Sequence, residues 1–203
     1  MKKESGARAP RGRPRSFDTE KAVDQALEVF WRKGYEGASL SDLTKAMGIN
    51  RPSLYAAFGD KQALFRRTLD RYTQGPAAYV LEALNAPNAR TVAERLLQAA
   101  ADSLLNPRHP RGCLLVQGAH ACGESANVVQ RELIARRLAG EAAVRKRLQR
   151  ARSEGDLPPD ADPATLARYL STVMHGMAVE AAAGATRRQL QQVIQTALRA
   201  WPE

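Results

Sequence analysis

Cysteine, aromatic residues and long apolar runs are all scarce in this sequence of 203 residues. Two cysteines are too few for a secreted domain that is held together by several disulfides. No stretch of about 18 consecutive apolar residues is present, so the sequence predicts no membrane-spanning helix and no membrane partner. The first 15 residues also lack the apolar segment of a secretory signal. These absences favour a cytoplasmic protein.

Catalytic and metal-binding motifs are missing as well. The sequence has no G-x-S-x-G nucleophile elbow, no Walker motif and no G-x-G-x-x-G fingerprint. Its three histidines, His109, His120 and His175, are scattered, and none belongs to a cluster with carboxylates at metal-ligand spacing. We therefore expect no enzymatic activity, no catalytic residue, no metal site and no cofactor.

Positive charge is in excess, and half of that excess lies at the N-terminus. Lys and Arg number 31 against 21 Asp and Glu, which gives a formal net charge of +10 and favours a polyanionic partner. Residues 1–16 carry six basic side chains and one acidic side chain among Gly, Pro and Ala. Because this composition cannot build a core, we predict a disordered basic arm.

The arm contains the run Arg11-Gly-Arg-Pro-Arg15. Gly12 and Pro14 keep the backbone slim and extended, and they alternate with Arg11, Arg13 and Arg15. Such a segment can line a narrow minor groove, where the potential is most negative, and it resembles the core of an AT-hook. The alternative is a solubilising tail without a specific role.

Beyond the arm, the hydrophobic spacing predicts helices throughout and no strands, hence an all-α fold. Four helices come first, each bounded by a cap or a glycine. They are Asp18 to Lys33, stopped by Gly34; Ser41 to Met47, capped by Ser41 and stopped by Gly48; Arg51 to Phe58, capped by Asn50; and a longer helix capped by Asp60. A tight turn at Gly48, with Ile49 packed between the second and third helices, is typical of a helix-turn-helix.

The run from Ala38 to Leu64 resembles the DNA-binding domain of the tetracycline-repressor (TetR) family. That family's pattern is met at Ser39, Gly48, Leu54, Tyr55, Phe58, Lys61 and Leu64. The sequence departs from it at Gln62, where Glu is usual, and at Ala56-Ala57, where polar residues are frequent. The resemblance covers residues 18–65, about a third of the chain.

Because the alanines offer no polar contact, base readout is expected from Arg51, Ser53 and Tyr55. For Arg51 the alternatives are a guanine contact, a phosphate contact and a solvated side chain. The hydroxyls of Ser39, Ser41 and Tyr55 can bond phosphates; Ser41 could instead only cap its helix, and Tyr55 could instead pack on the first helix. Lys61 is unfavourable at a helix N-terminus unless it meets a phosphate. The candidate DNA-binding residues are Arg11, Arg13, Arg15, Ser39, Ser41, Arg51, Pro52, Ser53, Tyr55 and Lys61.

The remaining sequence predicts further helices, including a long one from Val128 to Glu154. The last two helices carry apolar stripes over 166–177 and 190–201, which could form a four-helix bundle with a second copy or complete the subunit's own core. The resemblance implies the homodimer, and it implies a ligand cavity among the other helices. Flexible methionines favour a small apolar ligand. The candidate lining residues are Leu115, Gln117, His120, Met174, His175 and Met177.

Cys113 and Cys122 are nine residues apart in the sequence. On one unbroken helix that spacing separates them by about 13–14 Å, which is too far for a disulfide. We interpret both as small core residues, and a redox pair remains an alternative if Gly118 breaks the helix.

Together these observations predict a basic arm at 1–16, a helix-turn-helix DNA-binding domain at 17–62 and a helical ligand-binding and dimerisation domain at 63–203. The resemblance implies a transcriptional repressor that a small molecule releases from a near-palindromic operator in double-stranded DNA. We expect it in the cytoplasm, associated with a nucleoid of bacterial type. The alternative is a ligand-independent protein that uses its arm to bind A·T-rich DNA.

Overall fold

A computed structural model describes residues 17–120 and 127–202, and within these ranges it contains ten α-helices and no strand. The all-α prediction is confirmed. Arg11, Arg13, Arg15 and Cys122, together with the side chain of His120, lie outside the described part. The helices are α1 (Thr19–Gly37), α2 (Leu40–Met47), α3 (Arg51–Phe58), α4 (Lys61–Gln74), α5 (Tyr79–Ala83), α6 (Ala89–Leu104), α7 (Leu114–His120), α8 (Asn127–Ser153), α9 (Pro163–Ala182) and α10 (Arg187–Arg199).

Side-chain caps and glycines set most helix boundaries where the sequence predicts them. Asp18, Asn50 and Asp60 each accept backbone N–H groups at the start of α1, α3 and α4. The predicted stop at Gly34 is a break within α1: Gly34 has a positive φ of 70°, and one more turn follows it. The five-residue helix α5 was not predicted, since it is too short to show a periodic pattern.

Two clusters of buried side chains hold the helices together. The first, which we call the head cluster, joins α1–α4 and includes Phe30, Leu43 and Leu54, as predicted. Ile49, predicted to lie in the core between α2 and α3, packs against this cluster and is half-buried. The second cluster, which we call the body cluster, joins α6 and α8–α10 around residues such as Leu148.

The apolar stripe of α10 faces the interior of its own subunit. Leu190 and Ile194 are 1% and 2% exposed, and Trp201 is buried beside them in the body cluster. The exposed apolar residues nearby are Val193, at 41%, and Val179 of α9, at 51%. The predicted stripe of α10 therefore completes the subunit core. An adjacent face of α9 and α10, which carries Val179 and Val193, is exposed to solvent.

No helix in the described ranges is long and apolar enough to cross a membrane.

Candidate nucleic-acid interface and ligand cavity

Helix α3 is anchored by its apolar residues and presents its opposite edge to solvent. Leu54 and Phe58 are buried in the head cluster, while Arg51, Pro52 and Tyr55 are exposed. The side chain of Asn50 accepts the backbone N–H of Ser53 at 2.8 Å, and Pro52 occupies the first turn, where its missing N–H costs nothing. The exposed edge begins at the helix N-terminus, which is where a recognition helix contacts bases.

Gly48 fixes the angle between α2 and α3. It adopts the left-handed conformation, with φ 63° and ψ 29°, and its N–H donates to the carbonyls of Lys45 and Thr44. The next N–H, that of Ile49, also donates to the Thr44 carbonyl at 3.1 Å. This closed C-terminus turns the chain sharply and leads it into Asn50, the cap of α3.

Ser39, not Ser41, caps α2, so the predicted cap was wrong by two residues. The Ser39 hydroxyl accepts the backbone N–H of Asp42 at 3.0 Å, and an Asp42 carboxylate oxygen accepts the Ser39 N–H at 3.1 Å. Hydrogen bonds from Lys33 and Ser39 lower the pKa of Asp42 to about 2. Ser41 is exposed on the first turn, and its hydroxyl is free of any capping role.

Replacing Ser39 with alanine should therefore destabilise the protein by about 1 kcal/mol, because the backbone N–H of Asp42 loses its acceptor and the Asp42 carboxylate loses the hydroxyl that donates to it. Replacing Ser41 with alanine should change the free energy of unfolding by much less. Urea unfolding of both variants checks this. Equal losses in the two variants would contradict the capping assignment.

Lys61 is the first residue of α4 and is partly exposed, and Tyr55 lies midway along α3 and is exposed. The Lys61 ammonium sits 4.5 Å from the centre of the Tyr35 ring, and partial burial lowers its pKa. Tyr55 is 47% exposed, so its ring is not enclosed against α1, the alternative considered from the sequence. Arg51 makes no ion pair with any residue in the described ranges. The N-termini of α2, α3 and α4 thus offer hydroxyl groups and two cations to a polyanion.

A cavity of about 340 Å³ lies among α4, α5 and α7–α9. Of the predicted lining residues, Leu115, Met174 and His175 face it. Met177 is instead 1% exposed within the body cluster, and Gln117 lies against Gly112. Neither borders the cavity.

Polar residues that the sequence did not single out as lining residues also border this cavity, among them Tyr72, Tyr79, Cys113 and Arg137. The Tyr72 hydroxyl donates to the Cys113 sulfur at 3.2 Å. Burial raises the pKa of both tyrosines and of the Cys113 thiol, so all three stay protonated near neutral pH. Cys113 packs against both clusters of buried side chains, as expected of a core residue, and it also borders the cavity. No sequence pattern links these positions, which only the tertiary fold brings together.

His175 also lines the cavity. Burial lowers its pKa, and the nearby charge of Arg137 lowers it further. The imidazole is consequently uncharged at neutral pH. The rest of the lining is mostly aliphatic, including Val80, Leu104 and Val144.

Two family models match the chain. Residues 22–68 match the model of bacterial regulatory proteins of the tetR family, and residues 93–197 match that of the tetracyclin repressor-like C-terminal domain. The first match includes α2 and α3, and the second includes α7–α10.

Known relatives cover nearly the whole chain. The HTH-type transcriptional repressor ComR of Escherichia coli (strain K12) is 35% identical over 196 residues, which span 95% of this chain and 93% of that protein. The HTH-type transcriptional repressor BdcR of the same strain is 34% identical over 184 residues, or 88% and 86% of the two chains.

The structure is also similar to a solved one. A cysteine mutant of the TetR family transcriptional regulator CifR, complexed with 26 bp double-strand operator DNA, superimposes with a TM-score of 0.90. It is 41% identical and covers 94% of this chain and 100% of that chain. The similarity extends over both the helix-turn-helix and the helices around the cavity.

Proposed function

Because this chain belongs to the TetR family and is a DNA-binding transcriptional regulator, we propose that it is a repressor that a small molecule releases from its operator. The exposed edge of α3 carries this proposal. That edge, held by the Asn50 cap and the Gly48 turn, can enter a major groove with Arg51 foremost. ComR and BdcR bear the name of repressor, and CifR has been solved with operator DNA.

The candidate residues divide by chemistry. Arg51 is assigned to a guanine, because a guanidinium can donate two hydrogen bonds to its O6 and N7. Ser53 and Tyr55 are assigned to neighbouring bases or phosphates, and Ser41 and Lys61 to phosphates. The hydroxyl of Ser39 already bonds Asp42, so its main contribution is to hold α2 in place.

We place the dimer contact on the outer face of α9 and α10. A shallow groove there is lined by Tyr169, Val173, Val193 and Thr196. Val179 adds exposed apolar area, and the nearby Gly176 has open space where a Cβ would stand. Two such faces can form a four-helix bundle that sets the distance between the two recognition helices.

Ligand release requires that the cavity be coupled to α3. Two residues connect the cavity with the head cluster, in which α3 is anchored. Tyr72 of α4 and Leu115 of α7 line the cavity and are also part of the head cluster. Tyr72 contacts Trp31 of α1 edge-to-face at 4.8 Å, and Arg71 binds Asp24 of α1 through two hydrogen bonds of 2.6 and 2.9 Å. A ligand that favours a shifted α4 would therefore move α1 and change the spacing of the recognition helices.

Selection of genomic fragments by the purified full-length chain tests this function. The expected result is a nearly palindromic site whose half-sites lie about 34–36 Å apart, one helical turn of DNA. Fragments that share only A·T richness and no symmetry would contradict the repressor proposal and favour the ligand-independent alternative.

Deleting residues 1–16 should flatten the salt dependence of operator binding while leaving the folded domain intact. If about three of the six basic groups meet phosphates, the slope of log K against log salt falls by about 2–3, at about 0.9 per phosphate. A preference for A·T-rich flanks should disappear as well, if the arginines read a narrow minor groove. Operator titrations across a salt series measure both effects.

Lys61→Ala is the matched comparison for the arm deletion. It should weaken all DNA sequences alike and lower the slope by about 1 for each subunit. An arm deletion that changes neither slope nor flank preference would leave residues 1–16 as a solubilising tail.

A further inference from the structure

One guanidinium at the cavity has an unsatisfied donor. The Nε of Arg137 is fully enclosed and finds no hydrogen-bond partner among the described residues. Its neighbour Arg136 is fully engaged, with Asp70 at 2.7 Å and Glu132 at 2.9 Å. The third charged residue of the cavity wall, Glu141, accepts a hydrogen bond from Arg168 at 2.8 Å. Arg137 is thus the charged lining residue that lacks an ion-pair partner in the described part of the chain.

This arrangement gives the cavity a localised positive charge. Arg136 and Glu141 are balanced by their own partners, whereas His175, Tyr72 and Cys113 are uncharged at neutral pH for the reasons given above. An enclosed charged donor without a partner is costly, more so than an unsatisfied neutral group. Because the half-buried Arg137 side chain lines the cavity, a ligand that supplies an acceptor to its guanidinium lowers that cost when it binds.

We propose that the ligand is a small acidic amphiphile whose carboxylate binds Arg137 and whose apolar body lies along Val80, Leu104 and Val144. This inference rests on the proposed ligand-release function and specifies its ligand. At about 340 Å³ the cavity is at the small end of the range of about 300–1,000 Å³ that ligand pockets span, which favours a small ligand. A monocarboxylic acid with a chain of about eight carbons, or a short aryl-substituted acid, fits this size.

The charge requirement distinguishes this ligand class from a merely hydrophobic one. A neutral molecule of the same shape fills the apolar part of the cavity equally well but accepts only an ordinary hydrogen bond. Hydrogen bonds to a charged partner are stronger than those between neutral groups. The acid should therefore bind more tightly than its alcohol, although the alcohol is the more hydrophobic molecule.

Isothermal titration of the full-length protein at pH 7.5 with octanoate, 4-phenylbutyrate and 1-octanol tests the proposal. We expect octanoate to bind at least about tenfold more tightly than 1-octanol. Arg137→Met, which keeps the apolar stem and removes the charge, should abolish that difference. Arg137→Lys should retain part of it, because the charge remains while the two-pronged geometry is lost.

Arg145→Met on the exposed side of α8 is the matched control and should bind octanoate like the unmodified chain. Circular dichroism melts establish that each variant is folded before titration. If Arg137→Met does not fold, the comparison of Arg137→Lys with Arg145→Met provides the same test.

Three outcomes overturn the proposal: equal affinities for octanoate and 1-octanol, unchanged octanoate binding by folded Arg137→Met, and no binding of either acid. Operator titration with the same compounds distinguishes a failure of the proposed ligand site from a failure of the proposed release function. Octanoate that binds through Arg137 without weakening operator binding would support this site while contradicting the release function. Release by 1-octanol alone would support the release function while overturning the acidic ligand.

Discussion

Val193→Glu should convert the dimer into a monomer and lower operator affinity by roughly a hundredfold or more. In a twofold-symmetric contact each substitution occurs twice, so two carboxylates would be buried without partners in the proposed bundle of α9 and α10. A monomer presents one recognition helix, and loss of one half-site removes much of the margin over non-specific binding, which is roughly 10³–10⁷-fold in such proteins. Light scattering and operator titration measure the two effects.

Two comparisons make the dimer test specific. Gln195→Glu adds the same charge to an exposed position on the opposite flank of α10 and should leave the dimer intact. Leu190→Glu with Ile194→Glu should instead unfold the subunit, because both side chains lie in the body cluster. A folded Val193→Glu protein that remains dimeric and binds its operator normally would show that the copies meet elsewhere.

Arg51→Ala should weaken operator binding by about 1–3 kcal/mol for each half-site and relax the choice of one base pair in each. The residue occurs once per recognition helix, so the dimer loses two contacts. Binding to operators with each half-site base varied in turn measures the loss of discrimination. Arg51→Lys should keep the positive charge but lose the preference for one base pair, since an ammonium lacks the planar two-pronged donor.

A different result would reassign Arg51. If Arg51→Ala weakens all sequences equally and reduces the salt slope, the guanidinium contacts a phosphate. Ser53 and Tyr55 would then be the remaining base-reading candidates on α3.

The first four helices could be predicted from sequence because local chemistry determines where they begin and end. Caps such as Asp18 and Asn50, and the positive φ of Gly48, need no tertiary information. The error at α2 was avoidable, since Ser39 is followed three residues later by Asp42, the spacing of a capping box. Two serines in Ser-Leu-Ser each resembled a cap, and only one has an acidic partner at that distance.

The later helices were predictable in position but not in orientation. Hydrophobic periodicity identifies the apolar stripe of α10, yet a stripe that packs on its own subunit and one that packs on a second copy have the same period. Leu190 and Val193 differ in burial only because α6 and α9 cover the former. The unpartnered state of Arg137 likewise depends on contacts between distant segments, for which the sequence gives no local signal.

The composition of the head cluster limits how regulators of this kind can be recombined. Leu114 and Leu115 of α7 and Val129 and Leu133 of α8 are buried among the side chains of α1–α4. A chimera that exchanges only the first four helices with those of a relative would set new side chains against these four unchanged ones. Its stability would depend on how well the volumes match. A functional graft therefore has to carry the DNA-reading helices together with their supporting positions between residues 114 and 133.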